Sequence, residues 1–245
     1  SKAKAPTRKE TKQLVKSVNH KIAQNAIRKQ YNQAKKVFLG LTKRSISGDV
    51  HTYTNVINCA VRCGKLPEAL DFFEEMKAKE LEPNVVTLTV LMKGFCEAGD
   101  VKGAKQLFDQ ETSSKAGLVP NLRTVNTLLR GCVRCGGHLS TATETFAKLK
   151  TWGLEPDESC LTAVVGLLCR ALQFDTAKSL LDAYASDSGL PALSTGLLVP
   201  AAHLSLATCG ALLGDRWLAV TAALDDAERA LEASEAQALD SKILE

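Results

Sequence analysis

No run of 18 apolar residues occurs in the 245-residue chain, so no membrane-spanning helix is indicated. The short patterns that carry catalysis are missing as well: there is no H-E-x-x-H, no G-x-S-x-G and no phosphate-binding P-loop. The four histidines, His20, His51, His138 and His203, are scattered, and Asp225 and Asp226 lack companions that would complete a metal cluster. Cys132 and Cys135 are half of a zinc pattern with no second pair at suitable spacing. The eight cysteines fall mostly on apolar helix faces, which reads as reduced core packing in a reducing compartment. Neither an enzyme nor a metal, a cofactor or a small-molecule substrate is expected.

What the chain does have is a stretch that recurs. Val50–Asn84 reads VHTYTNVINCAVRCGKLPEALDFFEEMKAKELEPN. Val85–Asn121 opens VVTLTVLMKGFCEAGDVKGAKQLFDQ and closes GLVPN, and Leu122–Asp157 reads LRTVNTLLRGCVRCGGHLSTATETFAKLKTWGLEPD. A tandem period of roughly 35 residues is the mark of a solenoid. In Val50–Asn84 the apolar residues Tyr53, Val56, Ile57 and Ala60 share one helical face. Gly64 ends that helix, and Ala69, Leu70, Phe72, Phe73 and Met76 trace a second one that Pro83 stops. Each unit is therefore two antiparallel helices joined by a tight turn. Ordering its residues costs ~1–2 kcal/mol each, more than one thin hairpin returns, so neighbours must stack. A small residue recurs in the second helix as Ala69, Ala104, Ala142 and Ala177, where backbones approach closely.

The same register extends both ways. Residues 1–14 are short, basic and without an apolar stripe, and are expected to form a flexible arm or extended lead-in. The first residue is Ser1, from which a processed protein or a fragment is expected, and a cleaved organellar transit peptide would fit. Residues 15–49 form a degenerate unit with Lys29 in place of the turn glycine. The repeat array then runs through 50–84, 85–121, 122–157 and 158–192, with extra residues near Ser113–Lys115 and at Gly136–Gly137. Residues 193–245 are expected to be degenerate capping helices, with a docking helix for a basic partner as the alternative. The fold class is all-α: a right-handed α-solenoid of about five hairpins plus a C-terminal cap.

Charge is unevenly spread. Residues 1–49 hold 13 Lys and Arg against two acids, whereas residues 186–245 hold three against nine. A basic end draws polyanions; the other reading of its lysines is a well-solvated helix surface.

TYTNVIN, EALDFFEEM and ELEPN, together with FCEAGDVKGAKQLFDQ and GLEPD, resemble the pentatricopeptide repeat family, in its P-type form. The resemblance implies that the fifth residue and the last residue of each unit face a shared groove and together touch one RNA base. In this sequence the pairs are Asn19 with Asp49, Thr54 with Asn84, Thr89 with Asn121, and Asn126 with Asp157. The family's code then implies the string U-A-A-U, read 5′ to 3′ from the N-terminus. Thr162 with Ala192 is assigned no nucleotide. Asn84, Asn121 and Asp157 also follow a proline and precede a helix, so N-capping accounts for them equally well. At the second position, where the family usually has an aliphatic wedge, stand Lys16, His51, Val86, Arg123 and Ser159; Arg and His can stack on bases. Arg62, Arg134 and Arg170 match the basic residue that the family often turns towards phosphates.

The function implied is a single-stranded RNA-binding adaptor in a mitochondrion or chloroplast, serving transcript processing, stability or translation. Two others stay open. One is a scaffold subunit of a large ribonucleoprotein such as an organellar ribosome, contacting its proteins. The other is the RNA-recognition part of a larger enzyme.

Overall fold

The turn residues bend the chain as their chemistry requires. Gly64, Gly99 and Gly136 have φ of 71°, 84° and 68°, the left-handed conformation that commonly follows a helix C-terminus. Lys29 takes the equivalent place at φ 54°, where a side chain costs roughly 1–2 kcal/mol. The computed structural model describes residues 7–44, 46–113, 117–173, 175–180 and 229. Among them run nine α-helices: α1 (Arg8–Ile27), α2 (Tyr31–Thr42), α3 (Val50–Arg62), α4 (Leu66–Ala78), α5 (Val85–Glu97), α6 (Val101–Ser113), α7 (Leu122–Cys135), α8 (Leu139–Ala147) and α9 (Glu158–Arg170). Residues 175–180 are helical as well, and no strand occurs among the described residues. Ala192, the insertion at Ser114 and Lys115, and the capping helices expected over 193–245 lie outside them.

Packing divides the chain into residues 1–131 and 132–245. In the first unit α1 packs on α2, α3 on α4 and α5 on α6, while α1, α3 and α5 stack in a row. That is the arrangement the repeat demanded. Tyr53, Val56, Ile57 and Ala60 are fully buried, as are Ala34, Ala69 and Ala104. Phe38 of α2 meets Tyr53 and Phe72 edge-on, each with ring centroids 5.2 Å apart, and so ties the first hairpin to the second. Two further close approaches involve glycines of the first helices. A Cβ at Gly94 would stand 3.0 Å from Val61 and Leu66, and one at Gly131 would collide with the Cys96 side chain.

In the second unit α8 packs on α9. α8 is short and passes into a 3-10 turn at Lys150–Trp152, closed by Gly153 at φ 66°. Ala142, Thr145, Leu149, Val165 and Ala177 are buried there. Cys59, Cys96, Cys132, Cys160 and Cys169 are buried, whereas Cys135 is exposed. Burial pushes the Cys59 and Cys160 thiols up to about 12.

The N-terminal stretch differs from its expected form. From Arg8 onward it is not an extended arm but the first two turns of α1. The Thr7 side chain accepts from the Glu10 N–H at 3.4 Å, and the Thr7 N–H donates to Glu10 Oε2 at 2.8 Å. This reciprocal capping box stabilises a helix start that buries almost nothing.

Candidate nucleic-acid interface

The site grows out of helix capping. Asp49, Asn84 and Asp157 are the N-cap residues of α3, α5 and α9. Asn121 does the same for α7, accepting from the Thr124 N–H at 3.0 Å. In each case the Oδ1 atom accepts from the amide three residues on, at 2.8 Å from Thr52, 2.9 Å from Thr87 and 2.9 Å from Cys160. The capping reading of these residues is thus correct, and it fixes the way each side chain turns.

At three junctions of the first unit a buried threonine links the capping residue to the fifth residue of the preceding helix. Thr52, Thr87 and Thr124 are wholly buried. The Thr52 hydroxyl lies 2.7 Å from Asn19 Oδ1 and 2.7 Å from Asp49 Oδ1, and Asn19 Nδ2 donates to Asp49 Oδ1 at 3.1 Å. The Thr87 hydroxyl lies 2.7 Å from that of Thr54 and 3.1 Å from Asn84 Oδ1. The Thr124 hydroxyl lies 2.8 Å from that of Thr89 and 2.9 Å from Asn121 Oδ1. Asn19–Asp49, Thr54–Asn84 and Thr89–Asn121 are therefore brought together physically. Asn126 sits half-buried on α7, and Asp157 caps α9 in the second unit.

These bonds dictate which atoms remain. Because Oδ1 of Asn84 and Asn121 must accept from a backbone N–H, the amide Nδ2 is left over as a donor. The Asp49 counterpart is Oδ2, an acceptor. Thr54 and Thr89 donate to the carbonyls of Val50 and Val85 at 2.8 and 2.7 Å, so their oxygens accept from the Thr87 and Thr124 hydroxyls and each keeps a second lone pair as an acceptor. Thr54 is only 7% exposed, so it presents an edge and not a reaching side chain. Burial alone would raise the Asp49 pKa; hydrogen bonds from Thr52 and Asn19 outweigh that and hold the carboxyl below its ordinary 3.8. Asp49 is therefore an anion at neutral pH.

Around the pairs, Lys16, His51, Val86 and Arg123 are all exposed, and Ser159 is half-buried. Arg62 is exposed at the end of α3, and Arg134 is exposed near the end of α7. Arg170 is exposed too, but its Nη1 donates to the Val133 carbonyl at 2.9 Å, so part of its fork already serves the protein. Among the described residues no group of three or more His, Cys, Asp or Glu is placed to hold a metal. The threonine links were missed in the sequence. Their signal was visible, since the third position of three consecutive units is threonine: VHT, VVT, LRT.

Stacked helical hairpins with a capping polar residue at each junction define the class of α-solenoid repeat proteins. The sequence pattern of the PPR repeat family matches residues 48–97 and 85–134. Residues 48–134 therefore carry pentatricopeptide repeats. A chloroplastic pentatricopeptide repeat-containing protein of Arabidopsis thaliana is 34% identical over 127 residues, covering 52% of this chain and 15% of the relative. A mitochondrial one from the same plant is 28% identical over 143 residues, covering 58% and 20%. The chain thus spans a fifth or less of the length of these curated relatives. Among solved structures, the maize pentatricopeptide repeat protein PPR10 superposes with a TM-score of 0.66 at 16% identity, covering 91% of this chain and 31% of that one. PPR10 in complex with an 18-nt psaJ RNA element gives 0.56 at 26% identity, covering 68% and 24%. The PPR domain of the Arabidopsis protein-only RNase P 1 in complex with tRNA gives 0.60 at 18% identity, covering 74% and 94%, a likeness of fold.

Proposed function

We propose that this chain binds single-stranded RNA in an organelle and reads the order U-A-A-U through Asn19–Asp49, Thr54–Asn84, Thr89–Asn121 and Asn126–Asp157. The observation that carries the reading is the pairing of fifth and capping residues through a buried threonine at three junctions, with a polar group left over on each partner. Asp49 Oδ2 accepts and the second N–H of Asn19 donates, which complements the N3–H and O4 of uracil. The Thr54–Asn84 and Thr89–Asn121 pairs offer an acceptor and an amide donor, which complements the N6 amine and N1 of adenine. Cytosine carries the same donor and acceptor order, so these two positions discriminate adenine from uracil better than from cytosine. The RNA-bound PPR10 relative supports RNA as the ligand. The chloroplastic and mitochondrial relatives support the organelle. The role is binding for transcript processing, stability or translation, with no chemistry of its own.

The test is affinity for strands containing U-A-A-U against scrambled strands. Tighter binding to U-A-A-U is expected, with A→U at either central position losing more than A→C. Asn126→Ala should relax the preference at the fourth base alone. Equal affinity for all strands with a steep salt dependence would mean contact with phosphates only and would favour the scaffold role in a ribonucleoprotein.

A further inference from the structure

α1 is 20 residues long, whereas α3, α5 and α9 have 13 and α7 has 14. In the repeat register those four begin at the first position of their units; α1 begins seven residues earlier than Val15. The extension, Arg8–Leu14, adds about 10 Å of helix beyond the point where its neighbours start. It carries Arg8, Lys9 and Lys12, all exposed. Lys9, Lys12 and Lys16 follow one another at three- and four-residue spacing, so they stand in one row on the helix surface. Three residues further along that row is Asn19, which hydrogen-bonds to Asp49.

Nothing on the helix neutralises this row. Glu10 is the one acid in α1, and its carboxylate is engaged by the Thr7 N–H at the helix start. Arg8, Lys9, Lys12 and Lys16 take part in none of the ion pairs among the described residues. The capping box takes up the Thr7 and Glu10 amides, and the exposed ammonium and guanidinium groups supply the charge of the extension. An unscreened row of cations that runs straight into a base-reading pair has the charge and direction of a track for a phosphodiester backbone.

We infer that the α1 extension is a sequence-independent phosphate-binding post for the nucleotides immediately 5′ of the first base read, with Arg8, Lys9 and Lys12 as its contacts. This inference rests on the RNA-reading proposal and on its 5′-to-3′ direction. It lengthens the footprint of an otherwise four-base reader without adding to its selectivity.

The experiment uses the full chain and the variant Arg8→Gln/Lys9→Gln/Lys12→Gln, with Lys16 kept. Two RNAs share U-A-A-U; one has six extra nucleotides on the 5′ side, the other six on the 3′ side. The unmodified chain should prefer the 5′-extended strand. The variant should bind that strand roughly tenfold more weakly, with a log–log salt slope shallower by about 2. Its affinity for the 3′-extended strand and its preference for U-A-A-U over scrambled RNA should not change. Loss on neither arm, on both arms equally or on the 3′ arm alone overturns the inference. A milder double variant, Lys9→Gln/Lys12→Gln, with an unchanged melting temperature guards against misfolding; it should show about two-thirds of the slope change. If the unmodified chain prefers U-A-A-U while the variant binds both extended strands as the unmodified chain does, the post fails and base reading stands. No RNA binding by the unmodified chain overturns both.

Discussion

The first two hairpins share one backbone plan and opposite charge economies. Residues 15–49 hold eight Lys and Arg and a single acid; residues 50–84 hold four and six. In the second hairpin the charges find each other: Lys65 with Glu68 at 3.1 Å, Lys79 with Glu75 at 2.7 Å, and Lys77 with Glu111 of α6 at 2.8 Å. Tyr53 joins in, donating to Glu75 at 2.8 Å and accepting from Lys79 at 2.6 Å. The first hairpin contains no such pair among the described residues. Exposed ion pairs contribute only about 0–1 kcal/mol each, so the first hairpin forfeits little by lacking them. Folding comes from the shared apolar register, which leaves surface charge free to serve a partner.

The comparison breaks most visibly in the cores. Phe73→Ala in the second hairpin should cost about 3–5 kcal/mol in urea unfolding. Phe38→Ala should cost a similar amount, because Phe38 seals the joint between the two hairpins against Tyr53 and Phe72. A much smaller loss for Phe38 would mean that the basic hairpin is held by something other than that aromatic joint. Next comes the close approach of α7 to α5: Gly131→Ala should cost about 1–3 kcal/mol by overpacking against Cys96, and Gly131→Ala combined with Cys96→Ala should recover part of it.

The caps and turns give smaller effects. Asn84→Ala should lower stability by about 1 kcal/mol through loss of the α5 cap, measured by thermal melting. Lys29→Gly should stabilise by up to about 1 kcal/mol, since glycine adopts the left-handed turn freely. The reciprocal Gly64→Lys should destabilise by a comparable amount.

The smallest effect is a pH dependence. Asp49 has a lowered folded pKa, so its contribution is fully present above the unfolded value of 3.8 and is lost as pH falls through the lower folded value. Melting curves of Asp49→Asn should show less acid sensitivity below pH 3.8 than those of the unmodified chain and coincide in shape at pH 6 and above.

Most of the hairpin plan was legible because two independent signals agreed, apolar spacing and a turn glycine. Val18 and Ile22 stand in the unit 15–49 where Tyr53 and Ile57 stand in the unit 50–84, and both are buried. Arg8–Leu14 was misread because its helix rests on capping rather than on an apolar stripe, although Thr7-x-x-Glu10 spelled the capping box. The candidate pairs were named from the resemblance. Their linkage through Thr52, Thr87 and Thr124 depends on which side chains stacking brings together, and no local pattern states that.

Each capping side chain divides its labour: one atom secures the helix and the other is surplus to folding. Exchanging the surplus atom, as Asn84→Asp would do by turning an amide into a carboxylate oxygen, leaves the anchoring oxygen where it was. Natural variation can therefore change which atom a junction presents, one heavy atom at a time, while the anchoring oxygen goes on holding the helix.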